Sequence, residues 1–205
     1  MGVTAADIQI LERLIKLYQP RRVLDLGAQN NFTNGEPMHK APYMSEWWKA
    51  KNIHYNSIDK NGLNGSMVDD LSEAIPLYNQ QMEKLYQYDF VMDFGTSEHI
   101  EKDGSFSWEA IYNCWLNKHN LLRTGGIMVN ENPKTGNWPG HGFNYYTSNF
   151  YMQLCTVAGY VIVDGREIPA MSNTLDGWNV FCVLRKFSDK FPSLEEFQTL
   201  DLRKE

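Results

Sequence analysis

Five short segments of this 205-residue chain carry a carboxylate or amide among turn residues at the end of an apolar run. They are Asp25-Leu26-Gly27-Ala28, Ile58-Asp59-Lys60, Asp69-Asp70-Leu71, Asp93-Phe94-Gly95 and Asn130-Glu131-Asn132. A glycine just after an apolar run lets backbone approach a ligand with no Cβ between them. An acid closing the next run can accept the hydrogens of both ribose hydroxyls of an adenosine. Gly27 and Asp59 occupy those two places. Taken singly, Gly27 also fits a plain turn and Asp59 a solvated strand end. Five such ends in order point to one cleft, because ligands of open α/β sheets bind beyond the carboxyl ends of the strands.

Positioning those ends requires alternating strands and helices. Thr4 to Asp7 resembles a capping box, with Asp in place of Glu. Ile8, Leu11, Leu14, Ile15 and Tyr18 follow at helical spacing, and Pro20 closes the helix. Val23 to Gly27 reads as a buried strand, Gln29 to Pro42 as a polar loop, and Tyr43 to Ala50 as a short helix. Ile53 to Asp59 is a second strand, Gly62 to Gly65 a turn and Ser66 to Leu71 a weak third strand. Pro76 suits the start of a helix over Leu77 to Tyr86. Phe90 to Phe94 is a strand, Trp108 to Leu122 a helix ended by Gly125-Gly126, and Ile127 to Asn130 a strand. Thr147 caps a helix running to Ala158, with Gly159 as its stop. Tyr160–Asp164 and Trp178–Leu184 have no helix between them and should pair antiparallel. The alternation implies an α/β fold with a mostly parallel sheet. The tail from Phe187 carries Phe191, Leu194, Phe197 and Leu200, and should pack on the body or on a partner. The 205 residues are expected to form one domain, with residues 1–20 as an N-terminal helix and 188–205 as a C-terminal tail.

The composition excludes several classes of function. Apolar residues at 42 % and aromatics at 13 %, with no low-complexity run, exclude a disordered chain. The 19 basic and 25 acidic residues leave a net charge of −6, which argues against a nucleic-acid partner, since phosphate neutralisation needs clustered Lys and Arg. No apolar run approaches the ~20 residues of a membrane span, and residues 1–7 lack the pattern of a signal peptide. Cys114, Cys155 and Cys182 sit in apolar stretches without CxxC spacing. They are expected to be buried free thiols in a reducing compartment, hence a cytoplasmic protein.

Over roughly Arg21 to Phe187 the sequence resembles the class I S-adenosylmethionine-dependent methyltransferases of small-molecule type. VLDLGAQNN resembles their first motif and SIDKN the acidic end of their second strand. YDFVMDFGTSEHIE is similar to their fourth-strand segment, and LLRTGGIMVNENP to their helix, Gly-Gly and fifth-strand passage. The resemblance implies a Rossmann-like doubly wound, mostly parallel seven-stranded sheet with an antiparallel final pair and helices on both faces. It implies S-adenosylmethionine as cofactor. Asp25, Gly27 and Ala28 would line its methionine end and Asp59 would bind the ribose. Asp70 and Leu71 would flank the adenine, with Asp69 as the competing choice. Asp93, Phe94 and Gly95 would lie near the sulfonium.

Two departures stand out. Gln29 and Asn31 replace the later glycines of the first motif, although Asn tolerates left-handed backbone. Thirty-two positions separate Gly27 from Asp59, against about 20 in a compact unit, and the excess, NNFTNGEPMHKAPYM, fits either a substrate lid or an insertion that spoils cofactor binding. The cofactor therefore needs the space beside Gly27 to be open.

A sulfonium methyl is already activated, so the protein's task is to align an acceptor, and a base helps when the acceptor is a hydroxyl. His99 and His141 are the candidate bases, with Glu98 beside the first. Each histidine has a structural alternative, as a turn or loop residue. His39, His54 and His119 read as bystanders. Asp93 with Glu131-Asn132 offers hard oxygen ligands for Mg²⁺, as in catechol-type O-methyltransferases. With no third carboxylate in view, a metal is not the favoured expectation. Trp138, Phe143, Tyr145 and Tyr146 could stack on a sugar or ring substrate, or simply pack. Asp93-Phe94-Gly95-Thr96 lacks the Pro-Pro-aromatic of DNA amino-methylases. The expected activity is methyl transfer to a small molecule or sugar, at oxygen. The rival readings are a catalytically silent binding or interaction module of the same fold and, behind it, a nicotinamide-dependent oxidoreductase.

Overall fold

The computed structural model describes residues 2–33, 36–37, 43–75, 87–169 and 177–203. Six strands form the main sheet: β2 (Arg22–Leu26), β5 (His54–Ile58), β6 (Tyr88–Phe94), β7 (Leu122–Pro133), β8 (Tyr160–Pro169) and β9 (Trp178–Lys186). Their order is β5-β2-β6-β7-β9-β8. The first four run parallel, and β9 is antiparallel to both β7 and β8. A small second sheet joins β1 (Val3–Thr4), β3 (Asn31–Thr33) and β4 (Glu36–Pro37).

Alternation of side chains across the sheet sends successive residues to opposite cores. Val23, Phe90, Met92, Val129 and Val183 pack beneath α1 (Ala5–Tyr18) and α2 (Met44–Ala50). Leu24, Val91, Met128 and Leu184 pack beneath α3 (Trp108–Leu121), α4 (Ser148–Ala158) and α5 (Leu194–Phe197). With helices on both faces, the sheet is the doubly wound, mostly parallel arrangement with an antiparallel final pair. The C-terminal Phe197, Leu200 and Leu202 belong to the second core. Among the described residues, no helix is long and apolar enough to cross a membrane.

Local signals set the element ends. Thr4 caps α1, and the Asp7 side chain bonds back to the Thr4 N–H at 2.7 Å, completing the capping box. Thr147 caps α4 through the Phe150 N–H at 2.9 Å, and Gly159 ends it at φ 65°.

Several expectations are corrected. Gly125-Gly126 does not end α3; the helix stops at Leu121 and both glycines lie inside β7. The register shifts between Tyr88 and Phe90, and a Cβ on Gly126 would lie 2.9 Å from the Asp89 carbonyl oxygen. Glycine here lets the two strands close up at an irregularity. Ser66–Leu71 forms no strand; one bridge, Met67 to Ile58, marks the place, so the described residues give six strands in the main sheet. The stretch Gln29–Pro42, expected as loop, contains β3 and β4. Asn31 lies in extended β3 and not in left-handed backbone. Cys114 and Cys182 are buried free thiols, but Cys155 is half-exposed. The helix expected over Leu77–Tyr86, with Pro76, and His39 lie outside the described residues.

Candidate active site

The carboxyl ends of β2, β5 and β6 meet at a cleft of about 170 Å³ lined by Gly27, Asp59, Asp69, Asp70 and Leu71 from one side. Thr96, His99, Ile100 and Glu101 line the other. Gly27 turns there at φ +76°, a conformation that costs an L-residue about 1–2 kcal/mol. The Asp59 carboxylate accepts the Ala28 N–H at 3.2 Å and the Asn61 N–H at 3.1 Å. A carboxylate offers about four lone-pair positions, so capacity remains for two hydroxyls. Asp70 is held by Lys60 at 3.0 Å and by Ser72. Burial alone would raise its pKa, but the Ser72 and Lys60 contacts hold it below the usual value.

The space immediately over Gly27 is not open. Thr96 Oγ1 donates to the Leu26 carbonyl oxygen at 2.6 Å, and the Gln29 amide donates to Leu26 O and to Thr96 Oγ1. A Cβ on Gly27 would lie 2.9 Å from Thr96 Oγ1 and 3.1 Å from Gln29 Nε2. The cleft is therefore open between Asp59 and Ile100 and narrowed over Gly27 by two side chains. The volume is below the roughly 300–1,000 Å³ of small-molecule sites.

Not every expected residue reaches this cleft. Asp25 is fully buried, and Tyr55 OH donates to it at 3.3 Å. Burial, more than the Tyr55 hydrogen bond can offset, pushes its pKa well up. Asp93 is also fully buried. Its carboxylate accepts from Lys118 Nζ at 2.8 Å and from the Thr96 and Ser97 N–H groups. Burial would raise the Asp93 pKa, but Lys118 and Ser97 outweigh it and hold it below the usual value. Phe94 is buried as well, and neither it, Gly95 nor Ala28 lines the cleft.

Asp93 and Glu131, the pair weighed as oxygen ligands for Mg²⁺ but not favoured, each have another partner. Asp93 is committed to Lys118, which also donates to Asn130 at 2.6 Å. Glu131 instead accepts from Asn179 at 2.7 Å. Burial and the neighbouring Asp7 push the Glu131 pKa well up.

The Glu98–His99 pair does meet His141. After β6 a 3₁₀ turn over Ser97–His99 presents Glu98 against the loop that follows β7. The Phe143 and Asn144 N–H groups donate to the Glu98 carbonyl oxygen at 2.7 and 3.1 Å. A Cβ on Gly142 would lie 2.7 Å from that oxygen, so glycine is what lets the loop sit this close. The loop is braced by Tyr145 OH, which accepts the His141 and Gly142 N–H groups and donates to Trp138 O. Glu98 Oε1 lies 3.7 Å from His99 Nε2 and 3.9 Å from His141 Nε2. The two imidazole centroids are 5.0 Å apart. Burial raises the Glu98 pKa to about 8, lowers that of His99 to about 4 and lowers that of His141. The imidazoles are therefore neutral near pH 7.

Trp138, Tyr145 and Tyr146 are buried and pack; Phe143 is half-exposed. His119 is a core residue 2.7 Å from Tyr160 OH, and His54 is exposed. Thr96 and Gln29 were missed as determinants of the cleft. Gln29 was visible only as a departure from a glycine. A larger cavity of about 800 Å³ lies beside α1, between Asp7, Arg13, Glu131 and Arg166.

No family model matches the chain, and no curated protein matches it in sequence. Solved structures do. The Burkholderia thailandensis 1,6-didemethyltoxoflavin-N1-methyltransferase, solved with 1,6-didemethyltoxoflavin and S-adenosylhomocysteine, matches at TM-score 0.57 and 16 % identity, covering 90 % of this chain and 79 % of that one. The N-methyltransferase NodS of Bradyrhizobium japonicum matches at 0.57 and 13 %, covering 88 % and 94 %. The [4+2]-cyclase SpnF matches at 0.54 and 13 %, covering 87 % and 82 %. The fold is that of the class I S-adenosylmethionine-dependent methyltransferases.

Proposed function

We propose that the chain is an S-adenosylmethionine-dependent methyltransferase acting as one unit on a small polar molecule, with a hydroxyl oxygen as acceptor. The observation that carries this is the cleft joining Gly27 to Asp59, with spare acceptor capacity on the Asp59 carboxylate. Asp59 would hold the ribose, and Asp69, Asp70, Leu71 and Ile100 the adenine side. The cofactor supplies a methyl group on a positive sulfur. Thr96 and Gln29 must swing aside to admit its methionine end. The 800 Å³ cavity beside α1 has the size of an acceptor site, and its mixed charges suit a polar molecule such as a sugar. Glu131 of β7 lines it, and the next residue, Asn132, faces the other side of the strand and donates to Glu98 at 3.4 Å. With no cation bound, a neutral imidazole at His99 or His141 has a lone pair with which to take a hydroxyl proton; with a cation bound to both, those lone pairs are committed and the imidazoles are no longer bases.

A second reading is a silent module of the same fold, and the Gln29–Thr96 contact over Gly27 favours it. Thermal unfolding with S-adenosylhomocysteine, S-adenosylmethionine and NAD separates the two. Ligand at a hundred times its Kd stabilises by about 2.7 kcal/mol, which is roughly 5–10 °C for a chain of this size. A shift with the first two ligands and none with NAD is the expected result. No shift with any of them favours the silent module, and a shift with NAD alone favours an oxidoreductase.

A further inference from the structure

At the edge of the cleft, where His99 lines it, Glu98 and His141 carry buried polar atoms without partners. Glu98 is fully buried, yet its Oε1 has no hydrogen-bond partner. A buried carboxyl oxygen without a partner costs free energy, and a cation bound there would favour the ionised form. His141 Nε2 is likewise buried and unpartnered. Glu98 Oε1 lies 3.7 Å from His99 Nε2 and 3.9 Å from His141 Nε2, and one donor atom from each of the three residues lies within 4.8 Å of the others.

We propose that Glu98, His99 and His141 form a three-ligand site for a divalent transition cation of the zinc type, open on the side of the cleft that His99 lines. Two imidazoles and one carboxylate are the donor set of catalytic zinc sites, which keep a fourth position for water or substrate. Nitrogen donors select such a cation over Mg²⁺, which prefers oxygen and octahedral geometry. Metal–ligand bonds of about 2.0–2.1 Å put neighbouring tetrahedral donors about 3.4 Å apart. The observed 3.7 and 3.9 Å from Glu98 to the two imidazoles, and a third donor pair within 4.8 Å, must contract toward that spacing when the cation binds. The surroundings hold the donors in place: Asn132 fixes the second Glu98 oxygen, and Tyr151 OH in turn donates to Asn132 at 2.7 Å. Such outer partners orient metal ligands. The site itself stands whether or not the chain transfers methyl groups. Its role rests on that reading, in which the cation would bind the acceptor oxygen and lower its pKa.

The test uses full-length protein stripped with EDTA and exchanged into metal-free buffer. Co²⁺ is titrated in, with its visible absorption as the readout, and Zn²⁺ and Mg²⁺ are then added as competitors. One Co²⁺ per chain is expected, displaced by Zn²⁺ and not by excess Mg²⁺. His141→Ala and Glu98→Gln should weaken binding tenfold or more. If Glu98→Gln does not fold, His99→Ala and His141→Ala carry the test. Absent or superstoichiometric Co²⁺ binding, displacement by Mg²⁺, or a folded His141→Ala that binds like the parent overturns the site. A parallel S-adenosylhomocysteine thermal shift keeps the two ideas apart. A shift without Co²⁺ binding overturns the cation site alone, and Co²⁺ binding without a shift overturns the methyltransferase reading alone.

Discussion

Lys118 Nζ lies 2.8 Å from Asp93 Oδ2, and neither side chain has any exposed surface. The ammonium also sits 3.4 Å from the centre of the Trp115 ring and bonds Asn130. Removing one partner of such a pair leaves a buried charge uncompensated, at a cost of about 3–5 kcal/mol. Lys118→Met should therefore lower Tm by roughly 6–20 °C. The Lys118→Met/Asp93→Asn double variant should lose less than the sum of the single losses. Urea unfolding of the four proteins in the cycle checks this, and additive losses would remove the coupling.

Gly27 at φ +76° faces Thr96 Oγ1 across 2.9 Å from its would-be Cβ. Gly27→Ala adds about 1–2 kcal/mol of backbone strain and pushes on Thr96. Its Tm should fall by roughly 2–8 °C, and its thermal response to S-adenosylhomocysteine should vanish. Differential scanning fluorimetry reads both, and a variant that keeps the ligand response contradicts the placement of Gly27 against the cofactor.

Much of the fold was legible because its signals are local. The capping box at Thr4 and Asp7, the stop at Gly159 and the two-sided apolar runs of β2 and β6 each depend on neighbours in sequence. The roles of Asp25 and Asp93 were not. Both end apolar strands, as ligand-facing acids do, but their partners Tyr55 and Lys118 come from distant elements. Gly125-Gly126 misled because glycine marks a helix stop and a strand irregularity equally well, and only the pairing of β7 with β6 decides between them. Glu98, His99 and His141 could be named as candidates. Their approach could not, because it depends on Gly142 lying against the Glu98 carbonyl.

That approach gives a third prediction. A methyl at residue 142 would meet the Glu98 carbonyl oxygen at 2.7 Å, and this oxygen is backbone that cannot rotate away. Gly142→Ala should displace the His141 loop, lowering Tm and cutting methyl transfer with an identified acceptor by tenfold or more. Parent-like turnover would detach the loop from the chemistry.

Acid stability offers a fourth. Asp89 accepts Arg123 Nε at 2.6 Å and the N–H groups of Arg21 and Arg22. Burial would raise its pKa, but these contacts hold it below the usual value. A depressed carboxylate contributes its full stability above the unfolded pKa, about 3.9, and loses it as pH falls through the lower folded value. Chemical unfolding from pH 7 down to pH 2 should show a steeper decline below about pH 4 for the parent than for Asp89→Asn. Parallel curves would contradict the assignment.

On the proposed function, Asp59 would grip an adenosyl ribose beside Gly27. Calorimetric titration of S-adenosylhomocysteine into the parent and into Asp59→Ala tests it most directly. One site per chain is expected in the parent, weakened roughly 10–100-fold in the variant, as the loss of hydrogen bonds to a charged group implies. Absence of binding to the parent, or equal affinity in the two proteins, would contradict it.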